Sequence, residues 1–228
     1  MGNWIRLSRN QVKIITLAPE LNGAEPFIRF ARKQGIMVSM GHSTATYQQA
    51  QLGKEWGAQS ITHLFNAMNG LHHREPGLLG FGLSDNEIFV ELIADYLHVH
   101  QAVVKVMIQS CGIERLLLIT DAMRAACMCD GSYELGGQTV HVQSGRAALA
   151  DGTIAGSTLT MDQAVRNLVL TGNLPKHAIA QVTSRNQAQL LGLNKGVIAQ
   201  GYDGDMIALN ENLEVTHTIV GGRLVYSK

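Results

Sequence analysis

The sequence has no net charge, no long apolar run and very little cysteine, and each of these gaps removes a class of function. Lys and Arg (18) balance Asp and Glu (18), and the isoelectric point is near 7.1. A chain without a basic excess offers no electrostatic face to nucleic acid or to an anionic membrane surface, so neither partner is expected. No apolar stretch approaches the roughly 18 residues that a spanning helix needs. The opening Met1-Gly2-Asn3-Trp4-Ile5-Arg6 lacks the pattern of a secretory signal. The three cysteines, Cys111, Cys127 and Cys129, cannot all pair with one another and do not have zinc-ribbon spacing. They read as free thiols of a reducing cytosol. Internal repeats and low-complexity linkers are also missing.

What is present is globular: 46% apolar and 16% charged residues, with 24 glycines in 228 positions. Short β-rich runs alternate with helical stretches. The runs are Val12–Leu17, Ile36–Met40, Ser60–Leu64, Ile88–Ala94 and Arg115–Thr120, and the helices between them are expected near Ala24–Gln34, Thr44–Trp56 and Gln101–Ser110. Gly35 and Gly57 stand where helix-ending glycines belong. Near-continuous apolar strands separated by helices predict a parallel sheet covered on both faces. After Asp121 the character changes. Residues 131–156 read as hairpins turning at Gly136-Gly137 and Asp151-Gly152. A helix is expected over Leu159–Thr171, helical turns near Lys176–Leu190, and short strands over Gly204–Val225, broken at 210–212 and 221–222. About five βα units result, where a closed barrel has eight.

Polar residues close successive strands: His42, His63, then Asp95 and His98, then Asp121. In parallel α/β barrels that edge carries the chemistry, because loops from several strands converge there. His42 and His63 are the metal candidates, since imidazole suits zinc and other borderline divalent ions. A carboxylate such as Asp121 beside that ion can take the proton of an attacking water and hand it to a leaving amine. Arg74, in a loop with His72 and His73, could hold a phosphate through its guanidinium fork. His98-Val99-His100 has the spacing of a strand metal pair, and Cys127-Met128-Cys129 that of a soft-metal or redox pair; both are weak signals.

The ordered set of motifs is more specific than any of them. Leu17-Ala18-Pro19-Glu20, Gly41-His42-Ser43-Thr44-Ala45-Thr46-Tyr47 and Thr62-His63-Leu64-Phe65-Asn66-Ala67-Met68 resemble the N-acetylglucosamine-6-phosphate deacetylase family of amidohydrolases. So do Arg74-Glu75-Pro76-Gly77, Ala94-Asp95-Tyr96-Leu97-His98-Val99, Thr120-Asp121-Ala122-Met123 and Ala155-Gly156-Ser157-Thr158-Leu159-Thr160-Met161. The resemblance implies a (β/α)8 TIM barrel, here incomplete (residues 1–195, with a hairpin insertion at about 131–156). It also implies a C-terminal share of a small β-sandwich (196–228). It implies one divalent metal ion, zinc or another, on His42 and His63, and a catalytic Asp121. Asn66, Ala67, Arg74, His98, Ile154, Ala155 and Gly156 are the implied substrate contacts. The implied substrate is an amino sugar phosphate, whose N-acetyl amide is hydrolysed to glucosamine 6-phosphate and acetate by a cytoplasmic homo-oligomer.

The family's third metal ligand, a glutamate in an HLEGP-like motif upstream of Leu17-Ala18-Pro19-Glu20, has no counterpart here. Glu20 is the nearest carboxylate, and nothing in the match assigns it to the metal. The expectation is therefore a chain without the family's N-terminal part. It either works with a separate N-terminal partner or copy, or is not catalytic by itself. The C4 epimer, N-acetylgalactosamine 6-phosphate, is the alternative substrate.

Overall fold

A computed structural model of the chain describes residues 2–170 and 172–228. Met1, and Thr171 at the expected end of the helix after Leu159, lie outside the described residues. A short helix, α1 (Gly2–Leu7), precedes four βα units and a fifth strand: β1 (Ile14–Leu17), α2 (Ala24–Lys33), β2 (Met37–Met40), α3 (Tyr47–Trp56), β3 (Ser60–Ile61), α4 (Gly77–Ser84), β4 (Phe89–Ile93), α5 (Gln101–Cys111) and β5 (Leu116–Ile119). The strands make one parallel sheet in sequence order, the result of successive right-handed crossovers. Register pairs such as Ile15–Val38, Met40–Ile61, Ile61–Val90 and Leu92–Leu118 bring the strand ends to one edge. Five such strands are an incomplete barrel against the eight of a closed one.

Local chemistry sets the helix ends. Thr46 caps α3 in a reciprocal box with Gln49, and Gly35 and Gly57 follow α2 and α3 with φ of 71° and 122°. Helix α4 has no counterpart among the elements expected from the sequence. Its run Gly77-Leu78-Leu79-Gly80-Phe81-Gly82 is buried throughout, so no polar face marks a period, and glycine disfavours helix. The glycines serve closeness: a Cβ on Gly82 would lie 2.9 Å from both Ile61 and Leu64.

Beyond β5, the strands β6 (Gly131–Leu135), β7 (Gln138–Gln143) and β8 (Arg146–Ala148) form an antiparallel sheet. Gly136 and Gly137 turn its first hairpin with φ of 59° and 83°, the left-handed pair a tight hairpin requires. Residues 154–157 then return to the barrel: the Ser157 N–H donates to the Asp121 carbonyl at 3.0 Å, and the Met123 N–H donates to the Ser157 carbonyl at 2.9 Å. Helix α6 (Met161–Leu170), a 3-10 turn (Lys176–Ala178), a π turn (Gln181–Arg185) and α7 (Asn186–Leu191) follow. Strands β9 (Met206–Leu209), β10 (Val215–Val220) and β11 (Arg223–Ser227) close the chain as a second antiparallel sheet. The main core runs from Ile28 and Val38 through Leu92 and Leu118 to Leu168 and Val182. A smaller one of Met123, Val140, Val142 and Ala147 lies under the hairpin sheet.

The sheet is open at one edge. All four residues of β2 are buried, whereas β1 is half-exposed, with Ile14 at 45%. Its outer row of backbone groups has no strand beside it among the described residues. Such an edge is a template for pairing, so the purified chain is expected to self-associate. A monodisperse monomer by light scattering at tens of micromolar would count against this.

Candidate active site at the strand ends

Three sequence-picked residues share one local geometry. His42, His63 and Asp121 each stand two positions beyond the last residue of their strand, β2, β3 and β5. All three adopt left-handed backbone, with φ of 50°, 32° and 48°. His and Asp tolerate that region better than most residues, yet each such turn costs about 1–3 kcal/mol and persists where the surroundings enforce it. Two of these turns bring their side chains together. The imidazoles meet edge to face, 4.7 Å between ring centroids, and their Nε2 atoms are 2.9 Å apart. Asp121 is close enough for its charge to act on His63.

Burial pushes the His63 pKa below its usual value and neighbouring His42 adds to this, while Asp121 opposes them. The ring is therefore neutral at pH 7, the form that binds a metal. His63 Nδ1 is buried with no protein partner among the described residues. Two Nε2 atoms 2.9 Å apart lie within twice the zinc–nitrogen distance of about 2.0–2.1 Å. The pair thus fits a shared ion as two of its ligands. No group of three His, Cys, Asp or Glu able to hold a metal occurs among the described residues.

The surrounding loops hold these turns. Glu20 receives the Ser43 hydroxyl and the Thr44 N–H, both at 2.7 Å. Burial alone would raise its pKa, but these bonds outweigh burial and lower it. Glu20 is a clamp on the loop after His42. The Ser43 N–H donates to the Ala67 carbonyl at 3.0 Å, and Asn66 Nδ2 reaches the carbonyls of His63 and Leu64, each at 3.3 Å. A cavity of about 360 Å³ opens here, lined by His42, Ser43, Thr44, Ala67, Met68 and Asn69. Just before His42, Gly41 passes so near β3 that a Cβ would sit 2.8 Å from Thr62 Cβ. Gly41→Ala is expected to cost about 1–3 kcal/mol through overpacking, read as a lower melting temperature.

The remaining candidates fall into two groups. Ile154, Ala155 and Gly156 lead into the Ser157–Asp121 backbone bond and so border the site. His98 is held by its Nδ1 against Asp95 Oδ2 at 2.6 Å, while Asp95 Oδ1 accepts the N–H groups of Leu97 and His98. His100 caps α5, its Nδ1 accepting the Ala102 N–H. The two rings thus have separate tasks, which does not support a metal pair at His98-Val99-His100. Arg74 lies on an exposed loop against His73 Nε2 at 2.9 Å. Its neighbour Glu75 ties that loop to α3 through the Tyr47 N–H at 2.7 Å. Cys111 is buried and Cys127 and Cys129 are exposed, all as free thiols.

Burial favours the neutral form of Asp95, but bonds from His98 and two backbone N–H groups hold its pKa below the ordinary carboxylate value. A depressed pKa contributes stability above the unfolded value, near 3.9, and that contribution is lost as pH falls through the folded one. Asp95→Asn is therefore expected to cost about 1–3 kcal/mol at pH 7 and progressively less below about pH 4. Melting curves at the two pH values decide it.

Sequence reasoning missed Glu91. It sits inside β4 with its carboxylate accepting the His63 N–H at 3.2 Å. Burial, with Asp121 nearby, raises its pKa to about 7 despite that bond. The signal was available, a lone carboxylate within the apolar run Phe89-Val90-Glu91-Leu92-Ile93.

A model of the amidohydrolase family matches residues 24–225. The chain belongs to that family. It is 43% identical over 222 residues to N-acetylglucosamine-6-phosphate deacetylase of Lysinibacillus sphaericus, covering 97% of this chain and 57% of that protein. It is likewise 43% identical to N-acetylgalactosamine-6-phosphate deacetylase of Escherichia coli O157:H7, covering 98% and 60%. Among solved structures, a mutant N-acetyl-D-glucosamine-6-phosphate deacetylase from Mycobacterium smegmatis, in complex with N-acetyl-D-glucosamine-6-phosphate, superposes with a TM-score of 0.95. It has 37% identity and the match covers 99% of this chain and 61% of that one. The Thermotoga maritima deacetylase gives 0.92 at 37% identity, covering 95% and 60%. This amidohydrolase chain thus spans 57–61% of the length of these four relatives.

Proposed function

We propose that the chain carries most of a hydrolytic site that removes the acetyl group from an N-acetyl amino sugar 6-phosphate. The observation that carries this reading is the meeting of His42 and His63 at neighbouring strand ends, with the charge of Asp121 acting on His63, in a chain 43% identical to deacetylases of such sugars. His42 and His63 would hold a divalent ion, zinc in the first instance. The chemistry that ion supplies is polarisation of the amide carbonyl and a lowered pKa for the attacking water. Asp121 takes the proton of that water and delivers it to the amide nitrogen as the C–N bond breaks, leaving acetate and a free amine. Asn66, Ala67 and His98, with Ile154, Ala155 and Gly156, border the sugar, and Arg74 takes the phosphate. Residues 1–195 form the barrel share and 196–228 the share of a small sandwich. The free thiols and neutral charge suit a cytoplasmic enzyme, and the open β1 edge suits assembly with a copy or with a separate N-terminal part.

The test is acetate release from N-acetylglucosamine 6-phosphate by the purified chain with added zinc. Release that depends on zinc supports the reading. No release from a folded chain means that catalysis needs a further protein ligand, the partner-dependent alternative that the two-histidine set favours. Equal identity to relatives named for the two epimers favours a second reading on the galactosamine sugar, and the ratio of kcat/KM for the two phosphates assigns it.

A further inference from the structure

We propose that Glu91 positions His63 for metal binding by clamping its backbone rather than its ring; this rests on the reading of His42 and His63 as ligands. Metal-bound histidines generally have the remote ring nitrogen hydrogen-bonded, and that bond fixes the ring. In His63 that nitrogen, Nδ1, has no protein partner among the described residues. The ring must be aimed by other means. The backbone of His63 is left-handed, at φ 32°, and a non-glycine residue stays there only where its neighbours enforce it. Glu91 supplies two of the bonds that do so. Its Oε2 accepts the His63 N–H at 3.2 Å, and its own carbonyl accepts the Leu64 N–H at 2.9 Å. On the other side, the His63 carbonyl accepts the Asn66 N–H at 2.9 Å and Asn66 Nδ2 at 3.3 Å. Strand β4 thus grips the turn from below and Asn66 from above. On the β4 side of this grip the carboxylate is the part that a side-chain substitution can remove, because the carbonyl bond belongs to the backbone.

The experiment is zinc affinity by competition with a chromophoric chelator, on the full chain, for wild type and four variants. Glu91→Met and Glu91→Ala both remove the acceptor, the first while keeping most of the volume; Glu91→Gln keeps an acceptor oxygen; His63→Ala removes the ligand itself. Melting temperatures of the metal-free proteins are measured in parallel. Glu91→Met and Glu91→Ala are expected to weaken zinc binding about 10–100-fold, with Glu91→Gln within about threefold of wild type. That split, with metal-free melting that does not track it, is what a merely structural residue does not produce. Wild-type affinity in Glu91→Met overturns the proposal. Loss in Glu91→Gln equal to that in Glu91→Met also overturns it, making Glu91 a ligand in its own right. Unchanged affinity in His63→Ala overturns the histidine reading first, and the role of Glu91 with it.

Discussion

Asp121→Asn is expected to lower acetate release from N-acetylglucosamine 6-phosphate by about 10²–10⁴-fold, the range for loss of a general acid–base group. The substitution is a narrow one. Asn keeps the size of the side chain, and the bond that holds this turn in place is made by the backbone: the Asp121 carbonyl accepts the Ser157 N–H at 3.0 Å. The left-handed conformation, at φ 48°, is one that Asn adopts as readily as Asp. What disappears is the capacity to accept and return a proton beside His63, together with a negative charge that His63 and Glu91 both feel. The loss therefore belongs in kcat. KM is expected to stay within about threefold, since groups that hold substrate equally in ground and transition states are untouched. Steady-state kinetics with zinc present, beside circular dichroism of the variant, make the measurement. A rate within a few-fold of wild type would remove Asp121 from the chemistry.

Much of this arrangement could be read from residues, and the unread parts have identifiable causes. Strands β1, β2, β4 and β5 announce themselves because buried parallel strands are apolar on both faces. His42, His63 and Asp121 stood out as polar residues closing such runs. Their left-handed turns did not, since the positions carry no glycine and the conformation is imposed from outside, by Glu20, Ala67 and Ser157. Strand β3 was expected to reach Leu64 and stops at Ile61 for the same reason: His63, Phe65 and Ala67 all have positive φ. Helix α4 hid because its period vanishes when every face is buried. Glu91 was passed over as part of a strand, although a charge inside a buried strand carries a desolvation penalty and so points to a task. Chain order gave no hint of contacts made across some 70 residues, and the last prediction rests on these.

Asn186→Ala is expected to destabilise the chain by about 2–5 kcal/mol, through loss of hydrogen bonds to buried carbonyls. Along a strand, successive carbonyls point to opposite edges. The Arg115 carbonyl turns inward to the Val90 N–H at 2.9 Å, so those of Leu116 and Leu118 face outward, where no further strand pairs with β5 among the described residues. Side-chain amides take the strand's place. Asn186 Nδ2 donates to the carbonyls of Ile113 and Leu116, each at 2.7 Å, and Gln187 Nε2 donates to that of Leu118 at 3.3 Å. Asn186 is fully buried, so water cannot replace it without the helix moving. The sheet thus has one edge sealed by α7 and one, β1, left open. This asymmetry means the two ends should respond differently: an added charge at Ile14, 45% exposed, should reduce association with little change in melting. Asn186→Ala should lower the melting temperature by about 4–20 °C, at about 2–4 °C per kcal/mol for a domain of this size. Differential scanning calorimetry reads the melting of both variants and light scattering the association. A midpoint unchanged in Asn186→Ala would show that the carbonyls of Ile113 and Leu116 find other donors, and that α7 holds the β5 edge by apolar packing alone.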